Sequence, residues 1–531
     1  LFTRMILKHL IGETDQTLLT NSISFRKSQK IINSNTRELF GKKPKKRRTR
    51  IMVTMPSEMA SDETLAERFI RAGMNCARIN CAHDSPDEWL KIIESIRAVA
   101  AKEETECKIM MDLSGPKLRT GPMSAGPKVI RIRPERDDLG AVTKPAALWL
   151  SNPEFQYQSE TFLRIPVYLF DLDILQQGDY LTFTDARNKT CTLEVIEKRQ
   201  KGFLVSTYDS AYLETGTRFY HKTGSEELPV IATVGELPPV EQAIILKTGD
   251  KLYLHNNPEI PGQPAKYDAH GRLISHASIA CAMPDVFIDV KPGEPILFDD
   301  GKIEGIIESS NENELSVIIS NAKDSGAKLR AEKGINFPLS DLKMSGLTEK
   351  DCEDLKFVVQ HADAVNVSFV NDPEMVAFII NQFEKLGKQP GLILKIETQK
   401  GFRNLPLILL EAMQVKPIGV MIARGDLAIE TGWNNMATIQ EEILRVCGAA
   451  HIPDIWATQV LESMAKKGIP SRAEITDAGV SERAECVMLN KGPQITKAIK
   501  LLDKILFNME LISDQEGILP QIEKAGELLL Q

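Results

Sequence analysis

Residues 391–397, Gly-Leu-Ile-Leu-Lys-Ile-Glu, and residues 417–426, Pro-Ile-Gly-Val-Met-Ile-Ala-Arg-Gly-Asp, decide how this chain is read. Each is a short, nearly continuous apolar run that ends abruptly in charge. A strand with one wet face alternates apolar and polar residues, whereas a strand covered on both faces reads as an unbroken apolar run. An amphipathic stretch follows each run, so each opens a βα unit.

Working outward, the same pattern predicts strands at 50–54, 75–79, 108–112, 363–367, 391–396, 417–422, 453–457 and 485–489. Helix-like segments follow at about 62–72, 86–101, 348–360, 372–387, 402–413, 434–449, 458–467 and 494–508. Eight βα units predict an α/β fold, a (β/α)8 TIM barrel built from 50–120 and 336–510, with a doubly wound sheet as the alternative. After the third strand the alternation breaks. Residues 121 to about 340 are rich in Gly, Pro, Thr and short alternating segments, which predicts an all-β insertion.

The insertion contains an internal similarity. Residues 174–205 and 288–318 share a Gly-acid pair, an apolar-Phe pair, an Asp turn and a second apolar arm. Two copies of one small β-barrel are expected, at 121–235 and 236–335; a single irregular β domain is the alternative. A polar, basic extension occupies 1–49, and 511–531 forms a tail. The run Lys42–Arg48 reads as a solvated lead-in to the first strand rather than a nucleic-acid address, because the remainder is acidic.

The net charge of −8 gives no support for nucleic-acid binding, and no run of 18 apolar residues is present to span a bilayer. The eight cysteines form no CxxC pair, so neither a zinc site nor a disulfide framework is expected, and a reducing, cytoplasmic location fits. The chain begins at Leu1 rather than Met, which suits a fragment.

Active sites of (β/α)8 barrels lie at the carboxyl ends of the strands. The polar residues there are Arg78, Asn80, Asp112, Lys395, Glu397, Arg424, Asp426, Thr458 and Asn490. Lys395 and Glu397 share one face of a strand, and Asp426 follows the next strand. Two carboxylates suit Mg²⁺, which takes one or two and fills its other positions with water and phosphate oxygens. Lys395 and Arg78 add positive charge where a transferring phosphoryl group would gather negative charge. A buried salt-bridge layer closing the barrel is the structural alternative. No GxxxxGK[ST] occurs, Asp299-Asp300-Gly301 reads as a β-turn, and the histidines form no metal-ligand spacing.

At these residues the chain resembles pyruvate kinase. The segments that carry the resemblance are GMNCARINCAHDS (73–85), MDLSGPKLRTG (111–121), LKIET (394–398), MIARGDLAIE (421–430) and ATQVLESMAKKGIPSRAEITD (457–477). The resemblance covers about 50–120 and 330–505. It implies that Glu397 and Asp426 hold Mg²⁺ (Mn²⁺ as substitute), that Lys395 stabilises the phosphoryl group in flight, and that Arg78 binds the phosphate. Gly425 and Asp426 would contact substrate, and Thr458 lies where the family delivers a proton to the enolate. His83, Arg119 and Lys333 would approach the nucleotide, with Asp300 and Lys333 on a lid.

Departures accompany the match. Around Asn80, Asp112 and Leu113, where the family holds a monovalent cation, a Ser ligand is replaced by Ala82 and a Glu by Lys117, so K⁺ independence is expected. VTMPSEM (53–59) lacks the family's Gly, and MLNKGP (488–493) replaces its M-L-S-G-E-T. The family's C-terminal regulatory domain is expected to be missing after the helix ending at 508. The implied partners are phosphoenolpyruvate or pyruvate and ADP or ATP. A homo-oligomer stays open, since the family's tetramer uses the C-terminal domain for one interface. Two other functions remain: an inactive binding or regulatory protein on the same scaffold, and a barrel lyase acting on a metal-bound enolate.

Overall fold

The computed structural model describes residues 25–154, 162–169, 175–199, 202–223, 226–343 and 346–513. The expected extension before residue 25 and the tail after 513 lie outside them. Eight parallel strands close a barrel: β1 (Arg50–Thr54), β2 (Cys76–Asn80), β3 (Lys108–Asp112), β4 (Ala364–Val367), β5 (Gly391–Ile396), β6 (Ile418–Ala423), β7 (Asp454–Ala457) and β8 (Cys486–Leu489), with β8 pairing back to β1. No helix among the described residues is long and apolar enough to cross a membrane.

The period of two along each strand sorts the barrel into layers. Val53, Ala77, Ile109, Val365, Leu394, Val420 and Val487 face outward into the core shared with the helices. The opposite phase supplies Met52, Cys76, Met110, Ala364, Ile393, Met421, Ile455 and Cys486 to an inner cluster at the barrel's base. One step further along the inward phase these become Thr54, Arg78, Asp112, Asn366 and Lys395. The barrel is therefore apolar below and charged above.

Among the described residues, three α-helices were not expected: Phe25–Phe40, Arg424–Thr431 and Arg472–Val480. The first caps the barrel's base. Its Leu39 and Phe40 join the inner cluster, burial that stabilises by roughly 1.5–3 kcal/mol per side chain. Glycines at the base of two strands make the room: a Cβ built on Gly391 or Gly419 would meet the Leu39 side chain at 2.9 or 2.5 Å. The solvated reading of the basic run needs correction at Arg47, which is only 1% exposed. Its guanidinium donates to Asp503 (2.7 Å), the Gly73 carbonyl (2.6 Å) and Asn75 (2.9 Å), a network that offsets the cost of burying the charge.

The insertion holds two β bodies with separate cores. One is a closed seven-stranded barrel made from strands between 146 and 234; the other is an open six-stranded sheet made from strands between 251 and 336, so only the first pairs into a ring. The similar segments fold alike. Gly178 donates to the Val195 carbonyl and Val195 to Asp179 (both 2.8 Å), while Gly293 donates to Ile307 (2.8 Å) and Ile307 to Glu294 (3.0 Å). Gly178 and Gly293 adopt φ of +92° and +90°, a region that strains other residues, which is why Gly precedes the acid in both.

The two connections to the barrel are bonded to each other. Thr120 N–H donates to the Lys333 carbonyl (2.8 Å), Glu332 N–H to Thr120 (3.0 Å) and Ile335 N–H to Leu118 (2.9 Å). This paired ribbon hangs the insertion over the charged end.

Candidate active site

The polar side chains at this end form one buried network. Arg78 donates to Asp112 at 2.6 Å and to Thr54 at 2.9 Å. The Lys395 ammonium stands 2.7 Å from the Ser368 hydroxyl, 3.2 Å from Glu397 and 3.4 Å from Asp112. Asn366 donates to Asp112 from β4. Burial alone would discharge these groups, but the opposite charges keep them ionised. For Asp112 burial raises the pKa, and Arg78 with Lys395 outweighs it, leaving the carboxyl below its usual range. For Lys395 burial lowers the pKa, and Glu397 with Asp112 outweighs it, holding the ammonium above its usual value.

Glu397 behaves differently. Burial and the negative charge of Asp426 push it up in spite of Lys395 and the Phe369 N–H, which donates to it at 2.6 Å. Phe369 sits at φ +56° to aim that N–H. A buried carboxyl raised by a second carboxylate nearby fits a divalent cation held by the two. No cluster of three or more metal-ligating side chains exists among the described residues, so the donor set suits a hard ion completed by water and substrate oxygens.

Asp426 opens the helix Arg424–Thr431 and accepts from Lys117 at 2.6 Å. Thr458, at φ +62°, accepts the Gly425 N–H at 2.9 Å. Arg424 holds that loop by donating to the carbonyls of Ala457 (2.9 Å) and Thr458 (2.7 Å); it also pairs with Asp477 and stacks 4.5 Å over Trp456.

The structure thus brings Arg78, Asp112, Lys395, Glu397, Asp426, Lys117, Gly425 and Thr458 to one mouth. Other expected residues lie at the edge of this network or beyond it. His83 is exposed in the loop after β2, where its carbonyl accepts from Trp89 (2.8 Å). Arg119 lies on the connecting ribbon and donates to the Glu332 carbonyl (2.9 Å). Lys333 pairs with Asp299 at 3.2 Å. Asn80 caps its own turn by accepting the Ala82 N–H at 3.1 Å, and the Leu113 carbonyl accepts from Ser368 at 2.8 Å.

Asn366, Ser368 and Glu430 were not among the expected site residues. Asn366 is a polar residue in the inward phase of an otherwise apolar β4 and Ser368 follows that strand in the same phase, a signal the sequence does contain. Glu430 accepts from Asn336 of the ribbon at 2.8 Å, and burial pushes its carboxyl up to about 7.

These features define a (β/α)8-barrel protein with its charged cluster at the end where this fold carries its active sites. The family model described as pyruvate kinase, barrel domain, matches residues 46–147 and 241–493. The chain belongs to the pyruvate kinase family. The unmatched stretch, 148–240, holds most of the seven-stranded β-barrel. The chain is 36% identical over 338 residues to a pyruvate kinase of Hypocrea jecorina (58% of this chain, 60% of that protein). It is 33% identical over 224 residues to one of Thermotoga maritima (41% and 46%) and 30% identical over 294 residues to one of Thermococcus litoralis (54% and 59%). The chain therefore spans about half the length of these curated relatives.

Proposed function

We propose that the protein transfers the phosphoryl group of phosphoenolpyruvate to ADP, giving pyruvate and ATP, with Mg²⁺ held by Glu397 and Asp426. The buried Arg78–Asp112–Lys395–Glu397 network carries this reading. It keeps a lysine and an arginine ionised in a dry site, pre-oriented without reorganisation at the moment of transfer. Mg²⁺, when bound, would neutralise charge on phosphoryl and enolate oxygens.

Arg78 binds the phosphate, its other edge fixed on Asp112. Lys395 holds the charge of the phosphoryl group as it moves. The Thr458 hydroxyl, fixed by the Gly425 N–H, is placed to pass a proton to the methylene carbon of the enolate. Arg119, His83 and Lys333 receive the nucleotide as the insertion closes and excludes water. Lys117, beside Asp426, supplies the positive charge that K⁺ would bring, so K⁺ is not required.

A coupled assay of pyruvate formation from phosphoenolpyruvate, ADP and Mg²⁺ tests the reading. Turnover is expected, falling by about 10²–10³-fold or more in Lys395→Met. Absence of turnover in the wild-type protein, with oxalate and Mg²⁺ still bound, would instead support a binding protein on this scaffold.

A further inference from the structure

A cavity of about 440 Å³ opens beside the catalytic cluster, between the connecting ribbon and the helix Gln399–Ala412. None of Arg78, Lys395, Glu397, Asp426 or Thr458 lines it. The size suits a small metabolite. Its wall is shared with the cluster. Lys117 reaches Asp426 from this wall, and the Phe369 N–H reaches Glu397.

The lining is largely apolar or neutral, with a small excess of positive over negative side chains. Lys117, Lys400 and Arg403 bring three positive charges, against the carboxyls of Asp341 and Glu430. Asp341 is occupied by Lys400 at 2.8 Å and is largely exposed. Glu430, raised to about 7 by burial, carries only part of its charge at neutral pH. Lys400 and Arg403 stand three apart and so share a helix face. Arg403 is exposed at the cavity's edge and has no hydrogen bond or ion pair among the described residues, so its planar fork of donors meets only solvent. Asn371, Thr398 and Asn404 add neutral polar groups around it.

We propose that this cavity is a binding site for a small doubly charged oxyanion, a phosphate monoester or a dicarboxylate, separate from the catalytic cluster. Arg403 and Lys400 grip the anion. Bound there, it competes with Asp426 for Lys117 and bridges the ribbon to the barrel.

Calorimetric titration of inorganic phosphate and of succinate into the full chain at low ionic strength tests this, the stronger of the two probes identifying the anion class. Binding is expected to persist in Lys395→Met. It should weaken about tenfold or more in Arg403→Gln and Arg403→Glu, the loss of one charged hydrogen-bonding group. Asp341→Asn frees Lys400 and should tighten binding, an increase that damage to the fold would not produce. Binding lost in Lys395→Met would place the anion in the catalytic cluster and overturn the proposal. So would affinities unchanged in both Arg403 variants, or no heat from either probe.

Discussion

The ammonium of Lys117 stands 2.6 Å from an Asp426 oxygen, so a cation fixed to the chain already occupies the flank of this carboxylate. Both side chains are 23% exposed, which leaves the pair open to exchange with ligands. Pyruvate formation should therefore change by less than about twofold when K⁺ is replaced by tetramethylammonium at constant ionic strength. Lys117→Glu should lower activity and make it respond to K⁺. Loss of wild-type turnover in tetramethylammonium would count against the substitution of potassium by lysine.

Glu430 gives a stability signature. Its folded pKa of about 7 lies above the usual glutamate value, so the unfolded chain loses its proton first as pH rises. The contribution is neutral in acid, turns unfavourable as pH climbs above the usual value, and levels off above about 7. Glu430→Gln keeps an acceptor for Asn336 and removes that cost. Denaturant unfolding should show the variant more stable than wild type at pH 8 by about 1–3 kcal/mol, with the gap closing toward pH 4. A gap independent of pH would refute the assignment.

Asp477 acts on Thr458 through Arg424. Asp477→Asn leaves a half-buried guanidinium without its counter-charge and loosens the carbonyls that hold the Thr458 turn. The expected result is a fall in kcat of about tenfold or more with little change in KM for ADP, because the proposed function assigns the nucleotide to Arg119, His83 and Lys333 and not to this turn. A rise in KM alone would show that the pair only supports binding.

Leu39 closes the base of the barrel. Leu39→Ala opens a cavity against Gly391 and Gly419 and should cost about 2–5 kcal/mol in equilibrium unfolding. Arg78 and Lys395 lie at the opposite end, so activity at low temperature should be retained. A loss below 1 kcal/mol would mean that the helix Phe25–Phe40 is not held by this contact.

The barrel strands were legible because each reads as a short apolar run, and four of them, β2, β3, β5 and β6, meet charge near the carboxyl end at Arg78, Asp112, Lys395 with Glu397, and Arg424 with Asp426. The helix Phe25–Phe40 was not, since it buries chiefly its last two residues and, apart from Phe25, Ile31 and Ile32, is mostly polar before them. The helix Arg472–Val480 carried a capping box, Ser471 with Glu474, that could have marked it. Arg424–Thr431 was hidden because it starts directly after β6 without a side-chain cap. Within the site, the charges two apart on β5 were plain from spacing. The contact of Lys117 with Asp426 and of Glu430 with Asn336 joins segments far apart in the chain, which no local pattern encodes.

The seating of Leu39 and Phe40 also sets an order of assembly. Leu39 and its glycine neighbours at 391 and 419 are separated by about 350 residues, so the floor of the barrel cannot form until both later strands exist. During synthesis this segment leaves the ribosome long before the strands it plugs, and two apolar side chains wait uncovered while both β bodies fold. Leu39 is made about 350 residues before the glycines it packs against, and a nascent chain halted before residue 391 should present that segment to proteases and chaperones.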